Sequence, residues 1–154
     1  MSEQALQEIR GVLFPLSEGQ LLLPNLTMLE VIGFREAEGV KGAPEWLLGM
    51  VRWNQRRIPL VIFDYFISHQ IPEPGYHARI AICYNPKADS RIPLIAILCH
   101  SVPRLARLNR ETLKDVDDSA FTQMVLKKVR YQDADAWIPD LPGLADMMDI
   151  YLPE

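Results

Sequence analysis

The sequence predicts a mainly β protein assembled from many short strands. Apolar residues recur in short runs separated by polar turns, at the spacing of barrels and sandwiches. Twelve prolines against eight glycines punctuate the chain too often for long helices. The stretch 44–66, PEWLLGMVRWNQRRIPLVIFDYF, reads as a complete strand, tight polar turn and return strand, closed by an aspartate and the start of a short helix.

Taken in order, residues 1–10 are a polar lead-in. Residues 12–16 and 20–24 are short apolar strands around a Ser-Glu-Gly turn. Asn25 is a helix N-cap candidate for LTMLE, and 29–35 continues into a further strand or turn. A loop over 37–43 leads to the hairpin, in which 47–53 is one strand, Asn54-Gln55 the turn and 58–63 the return. Pro59 inside the return places that strand on an edge or at a bulge. Asp64 is placed to cap a short helix. Residues 77–84 alternate, with Ala78, Ile80 and Ile82 on one face and Arg79, Ala81 and Cys83 on the other, whereas 92–99 is continuously apolar. Residues 102–108 alternate again with Val102, Leu105 and Leu108 as the apolar set, 109–116 reads as one helical turn, and 123–131 as a strand. DADA (133–136) is expected as a turn, 137–141 as the return, and the end as a short amphipathic helix begun by Asp140. That makes nine or ten strands. The closing hairpin echoes the first: Val51-Arg52-Trp53, turn, strand, Asp64 is answered by Val129-Arg130-Tyr131, turn, strand, Asp140.

The totals fit a globular chain. It has 154 residues, 49% hydrophobic and 23% charged, long enough for one domain with a sizeable core. A net charge of -4 does not favour nucleic acid or an anionic membrane. No run approaches the ~20 apolar residues of a membrane span, and the polar N-terminus has no signal core, so the expectation is a cytoplasmic protein without direct membrane insertion. Cys83 and Cys99 sit in apolar runs and are expected as buried, reduced thiols.

The motifs of catalysis are missing. Cys99 and His100 are adjacent, but neighbours on a strand point to opposite faces. His69, His77 and His100 have no metal-ligand spacing, and CxxC, HExxH and Gly-rich phosphate loops do not occur, so no catalytic residue, metal or cofactor is assigned. The acidic pairs Asp117-Asp118 and Asp133/Asp135 read as solvated loop carboxylates. Arg52, Arg56, Arg57, Arg104, Arg107, Lys127, Lys128 and Arg130, with Trp53 and Tyr131 beside them, are candidates for a basic face with stacking aromatics. Trp46, Trp53, Met50 and three arginines around one hairpin have the composition of a protein-binding hot spot, and both tryptophans equally suit a core.

Six segments in order resemble the CheW-like family of chemotaxis coupling proteins: VLFPLSEGQLLLPNLTMLEVI (12–32), PEWLLGMVRWNQRRIPLVIFD (44–64), RIAICYN (79–85), RIPLIAILC (91–99), VPRLARLNRETL (102–113) and KKVRYQDADAWIPDLPGLADMM (127–148). Gly49, Arg56, Ile58, Pro59, Leu60 and Val61 match the family's "GVINLRGRVIPVVDL" in register. The resemblance implies two five-stranded SH3-like barrels joined in one domain over 1–154. It also implies a non-catalytic adaptor that docks on the regulatory domain of a CheA-type histidine kinase and on the cytoplasmic tip of a chemoreceptor. The family's turn arginine and glycine are replaced by Asn54 and Gln55, and its aspartate falls on Ile62, with Asp64 two positions later. The chain is therefore most similar to an auxiliary member, such as those of pilus-linked (twitching) chemosensory systems, with altered receptor specificity. Arg52, Trp53, Asn54, Arg56 and Arg57 are the implied partner-binding residues, with 52, 54 and 56 expected on one outward face. The alternative reading is a β-barrel module for another ligand, such as single-stranded nucleic acid.

Overall fold

The computed structural model describes residues 9–87, 89–116 and 123–153. Among these, eleven strands form two sheets. The first takes both ends of the chain: β1 (Ile9–Pro15), β2 (Gln20–Pro24), β8 (Arg104–Leu108), β9 (Leu113–Asp115), β10 (Val125–Tyr131) and β11 (Ala134–Pro139), in the order β8-β1-β2-β11-β10-β9. The second takes the middle: β3 (Met28–Gly33), β4 (Leu47–Trp53), β5 (Arg56–Val61), β6 (Arg79–Tyr84) and β7 (Leu94–Cys99), in the order β3-β6-β7-β5-β4. Helix α1 (Asp64–Ser68) follows β5, and α2 (Leu141–Asp149) follows β11.

These are the two SH3-like barrels expected, with a sixth strand in the first. The helical turn anticipated over 109–116 is confined to 109–113, where Leu113 N–H donates to the Asn109 carbonyl at 3.0 Å, and Leu113–Asp115 is strand β9. Asn109 Oδ1 accepts from the N–H groups of Glu111 (2.8 Å) and Thr112 (3.0 Å), an Asx-type turn that lets β9 pair with β10. Asn25 likewise caps no α-helix: a single 3-10 turn, Asn25–Thr27, leads into the extended Met28, because β3 pairs with β6. Ile9 and Arg10, expected in the polar lead-in, belong to β1, where they face Leu108 and Arg107 of β8.

Apolar side chains gather in three layers. Ile58, Leu60, Ile80, Ile82, Ala96 and Leu98 fill the second barrel. Leu13, Leu22, Ala106, Val129 and Ala136 fill the first. Between the barrels lies the third layer, where Val12, Phe14, Leu21 and Leu23 meet Ala81, Cys83, Ile95, Ile97 and Cys99, with Leu141, Leu144 and Met148 of α2 closing the side. Strand β7 is thus buried on both faces, which accounts for its unbroken apolar sequence. Cys83 and Cys99 are free and buried there. Burial pushes both thiols upward in pKa, helped in Cys83 by Cys99 and in Cys99 by the Asp64 carboxylate, so neither is a ready nucleophile.

Of the apolar set read in 102–108, Leu108 packs against the first barrel's core, whereas Val102 and Leu105 are exposed. Ala106 also turns into the first barrel, while Leu105, paired with Val12, is 73% exposed because β8 is the outer strand of its sheet.

The echo between the two hairpins is structural. Register slips between Leu47 and Gly49 in β4 and between Val125 and Lys127 in β10, 78 positions later. Both turns are two residues long with positive φ at each: Asn54 (48°) and Gln55 (62°), Gln132 (48°) and Asp133 (67°). This is the type I′ pattern, whose twist suits a hairpin. The second turn is therefore Gln132-Asp133, and the anticipated DADA turn is already mostly strand β11. Each return strand then pairs in parallel with a strand of its sheet, β5 with β7 and β11 with β2.

The two aspartates differ. Asp140 is a true N-cap, accepting from Gly143 N–H at 3.0 Å. Asp64 is not: Phe63 occupies the cap position with helical dihedrals, so the carboxylate is turned away from the helix start. Its Oδ2 accepts from Ser17 N–H (2.7 Å) and Oγ–H (2.8 Å), with His100 Nε2 at 3.4 Å, tying the β1–β2 turn to the second barrel.

Four outcomes follow, each measured by chemical denaturation. Gly49 has φ 142°, and a Cβ there would lie 2.2 Å from the Glu38 carbonyl oxygen, so Gly49→Ala costs roughly 3 kcal/mol. Gln55→Gly stabilises by about 1 kcal/mol by removing a left-handed L-residue. Asp140→Ala costs about 1 kcal/mol through the lost cap, and Asp64→Ala costs more, roughly 2–3 kcal/mol, because the part-buried Ser17 donors lose their acceptor.

Candidate interaction surface

The β4–β5 hairpin stands at the edge of the second sheet, extended by an isolated bridge between Glu38 and Met50. Met50 gives both backbone groups to Glu38, N–H to O and O to N–H, each at 2.8 Å. Pro59 lies opposite Met50, at a position where β4 asks for no donor, so the proline interrupts no bond. The expectation of an edge or bulge at Pro59 resolves as this non-bonded pair.

The turn decides which side chains travel together. With two turn residues, Arg52 pairs with Arg57 and Trp53 with Arg56. Opposite residues in a ladder share a face, so the outward set 52, 54, 56 does not exist. Parity switches across the turn, Arg52 and Arg57 stand side by side on one face, and Trp53 and Arg56 on the other. Trp53 does go inward, half-buried against the second barrel's core beyond Val51 and Ile58. Its Nε1–H donates to Glu30 Oε2 at 2.8 Å, which fixes the indole against β3.

Arg57 pairs with Glu38 at 2.8 Å, an exposed contact that contributes little stability but holds the guanidinium in place. Arg35 Nη1 donates to the Arg52 carbonyl at 2.8 Å and steadies the strand end. The side chains of Arg52, Asn54 and Arg56 are exposed and have no partner among the described residues. Trp46 is not part of this surface. It is buried in the shared layer, with its ring centroid 5.1 Å from that of Phe66.

The other basic residues do not join this face. Lys127, Lys128 and Arg130 lie on β10 of the first sheet, where Lys127 meets Asp115 (3.0 Å) and both Lys128 and Arg130 meet Asp135 (3.7 and 3.2 Å). Lys128 also sits 5.5 Å over the Trp137 ring. The eight basic residues are thus divided between the two sheets, Arg52, Arg56 and Arg57 on the second and Arg104, Arg107, Lys127, Lys128 and Arg130 on the first. Among the described residues, no group of three or more His, Cys, Asp and Glu is placed to hold a metal ion, and no helix is long and apolar enough to cross a membrane. Asp117 and Asp118 lie outside the described residues.

Sequence reasoning missed the β8 edge. Val102 (54% exposed) and Leu105 present apolar surface beside the exposed Arg104 and Arg107 at the open side of the first sheet. The signal was available in the pair of arginines flanking Leu105 and Ala106, a pattern suited to an edge strand.

The comparisons with known proteins agree with this architecture. A family model described as the CheW-like domain matches residues 10–147. No curated protein matches the chain. Among solved structures, the scaffolding protein TtCheW from Thermoanaerobacter tengcongensis superposes with a TM-score of 0.69 at 14% identity, over 85% of this chain and 88% of that one. With nearly the whole two-barrel fold inside the matched region, the chain belongs to the CheW-like family, as a non-catalytic adaptor of chemosensory signalling.

Proposed function

We propose that this adaptor couples a CheA-type histidine kinase to a chemoreceptor in the cytoplasm, and that the β4–β5 hairpin is one of its docking faces. The observation that carries the reading is the pairing of Arg52 with Arg57 on one face, backed by Trp53 anchored to Glu30. Arginine and tryptophan dominate binding energy at protein interfaces, and a guanidinium held by one carboxylate keeps further N–H donors for a partner. An adaptor needs a second face. The β8 edge of the other sheet, with Leu105 exposed on it and Val102 exposed just before it, is the candidate. Asn54 and Gln55, standing where the family has arginine and glycine, support an auxiliary member with altered specificity, as in pilus-linked systems.

The test separates the faces. Arg52→Glu with Arg57→Glu is expected to weaken binding of one partner by about tenfold or more while leaving the other intact, and Leu105→Glu is expected to do the reverse. Titration calorimetry against the isolated kinase regulatory domain and against receptor fragments reads the two affinities separately. Wild-type affinities for both partners in the folded double variant would remove the hairpin from the docking surface.

A further inference from the structure

A second feature of the same sheet lies on the far side of β5. Strand β7 pairs with β5 only at Leu60 and Val61, so the first residues of β5 have no strand beside them on that side. The ladder phase says which groups are left open. Met50 and Pro59 form a non-bonded pair, and the pattern alternates, so Ile58 bonds back to β4 while the N–H and C=O of Arg57 point away from it. They open onto a cleft of about 260 Å³ between β5 and the segment before β7, lined by Arg56, Arg57 and Arg91 with Pro59, Pro93 and Leu152 between them. A neighbouring cleft of about 300 Å³ continues past Tyr151–Pro153 to Lys41. No described aspartate or glutamate lines either cleft. In a chain of net charge -4, four cations along one groove, two of them paired with Glu38 and Asp149 outside its lining, leave a local excess of positive charge.

We propose that this groove binds an extended acidic peptide segment of a partner protein by strand addition at the open edge of β5. Each element of the groove suits that ligand. The Arg57 backbone offers the donor and acceptor of one ladder step. The guanidinium of Arg56 has no partner among the described residues. Those of Arg57 and Arg91 are steadied by Glu38 and Asp149 at 2.8 and 2.6 Å and keep N–H groups for a further carboxylate. Prolines and Leu152 between the charges accept the apolar side chains that an alternating strand places between its acids. Single-stranded nucleic acid fits less well, since among the described lining residues of the two clefts Tyr151 is the one aromatic side chain, and a strand of bases needs successive stacking faces. The inference stands on the groove and does not rest on the adaptor reading.

The experiment uses the full chain and a short fluorescein-labelled peptide of alternating glutamate and valine, followed by anisotropy. Saturable binding that weakens with added salt is expected, with the glutamine-for-glutamate peptide weaker by at least about tenfold. Arg56→Glu is expected to lose a similar factor without unfolding, because that side chain makes no ion pair among the described residues. Arg91→Gln, which removes the charge and keeps a polar side chain, is expected to lose several-fold, and Arg110→Glu in the β8–β9 turn to change nothing. Wild-type affinity in Arg56→Glu, equal binding of the two peptides, or no binding of the acidic one overturns the proposal. So does an oligothymidine that binds more tightly and loses affinity in the same variants.

Discussion

The structure depends on the apolar layer between the two barrels. Among the described residues, the first barrel's own interior holds five buried side chains, two of them alanine. At about 1.5–3 kcal/mol for each large apolar side chain, that interior falls well short of the ordering cost of six strands. The shared layer is four times as large in residues and draws on both sheets and α2. Strands β6 and β7 are therefore the common wall of two cores, and each barrel is stable because the other covers it. Cysteines fit that wall because they are small and apolar in effect, and burial keeps them protonated.

At the rim of this layer sits a polar joint. The Asp64 carboxylate is buried, accepts twice from Ser17 on the β1–β2 turn, and approaches the ring of His100, a residue whose backbone N–H donates to the Pro15 carbonyl at 2.9 Å. Asp64 Oδ1 and His100 Nε2 have no hydrogen-bond partner among the described residues. Such a joint adds little net stability, yet any other docking of the barrels would strand the carboxylate. It favours one relative placement of the two sheets.

Most strands were legible from local sequence because their apolar periods and turns are strong. The residues that misled reasoning did so for identifiable reasons. Asn25 and Asn109 carry helix-start chemistry, but Asn25 opens only a 3-10 turn before β3, and the Asn109 side chain closes a turn between paired strands. Asp64 looks like Asp140 in sequence, and only the placement of Ser17, 47 positions earlier, distinguishes a tertiary anchor from a cap. Leu105 has the pattern of an inward residue, but its exposure is set by the position of β8 at the end of a sheet. The candidate hairpin was legible in composition and not in geometry. Counting odd and even positions through a two-residue turn separates Arg52 from Arg57, whereas the register joins them.

The order of strands has a temporal meaning. All five strands of the second barrel are contiguous in sequence and complete by Cys99, while the first barrel needs β1 and β2 to wait for β8 and β11. One barrel is nested inside the other along the chain. On a ribosome, the inner unit has all its pairings available while the N-terminal strands still lack their partners, and their apolar faces remain open until the last hairpin emerges. Closure of the outer barrel is then a long-range step across about a hundred residues, the kind of contact that sets folding speed. The family's two-lobed shape thus comes with an assembly sequence: the middle of the chain first, and its two ends last.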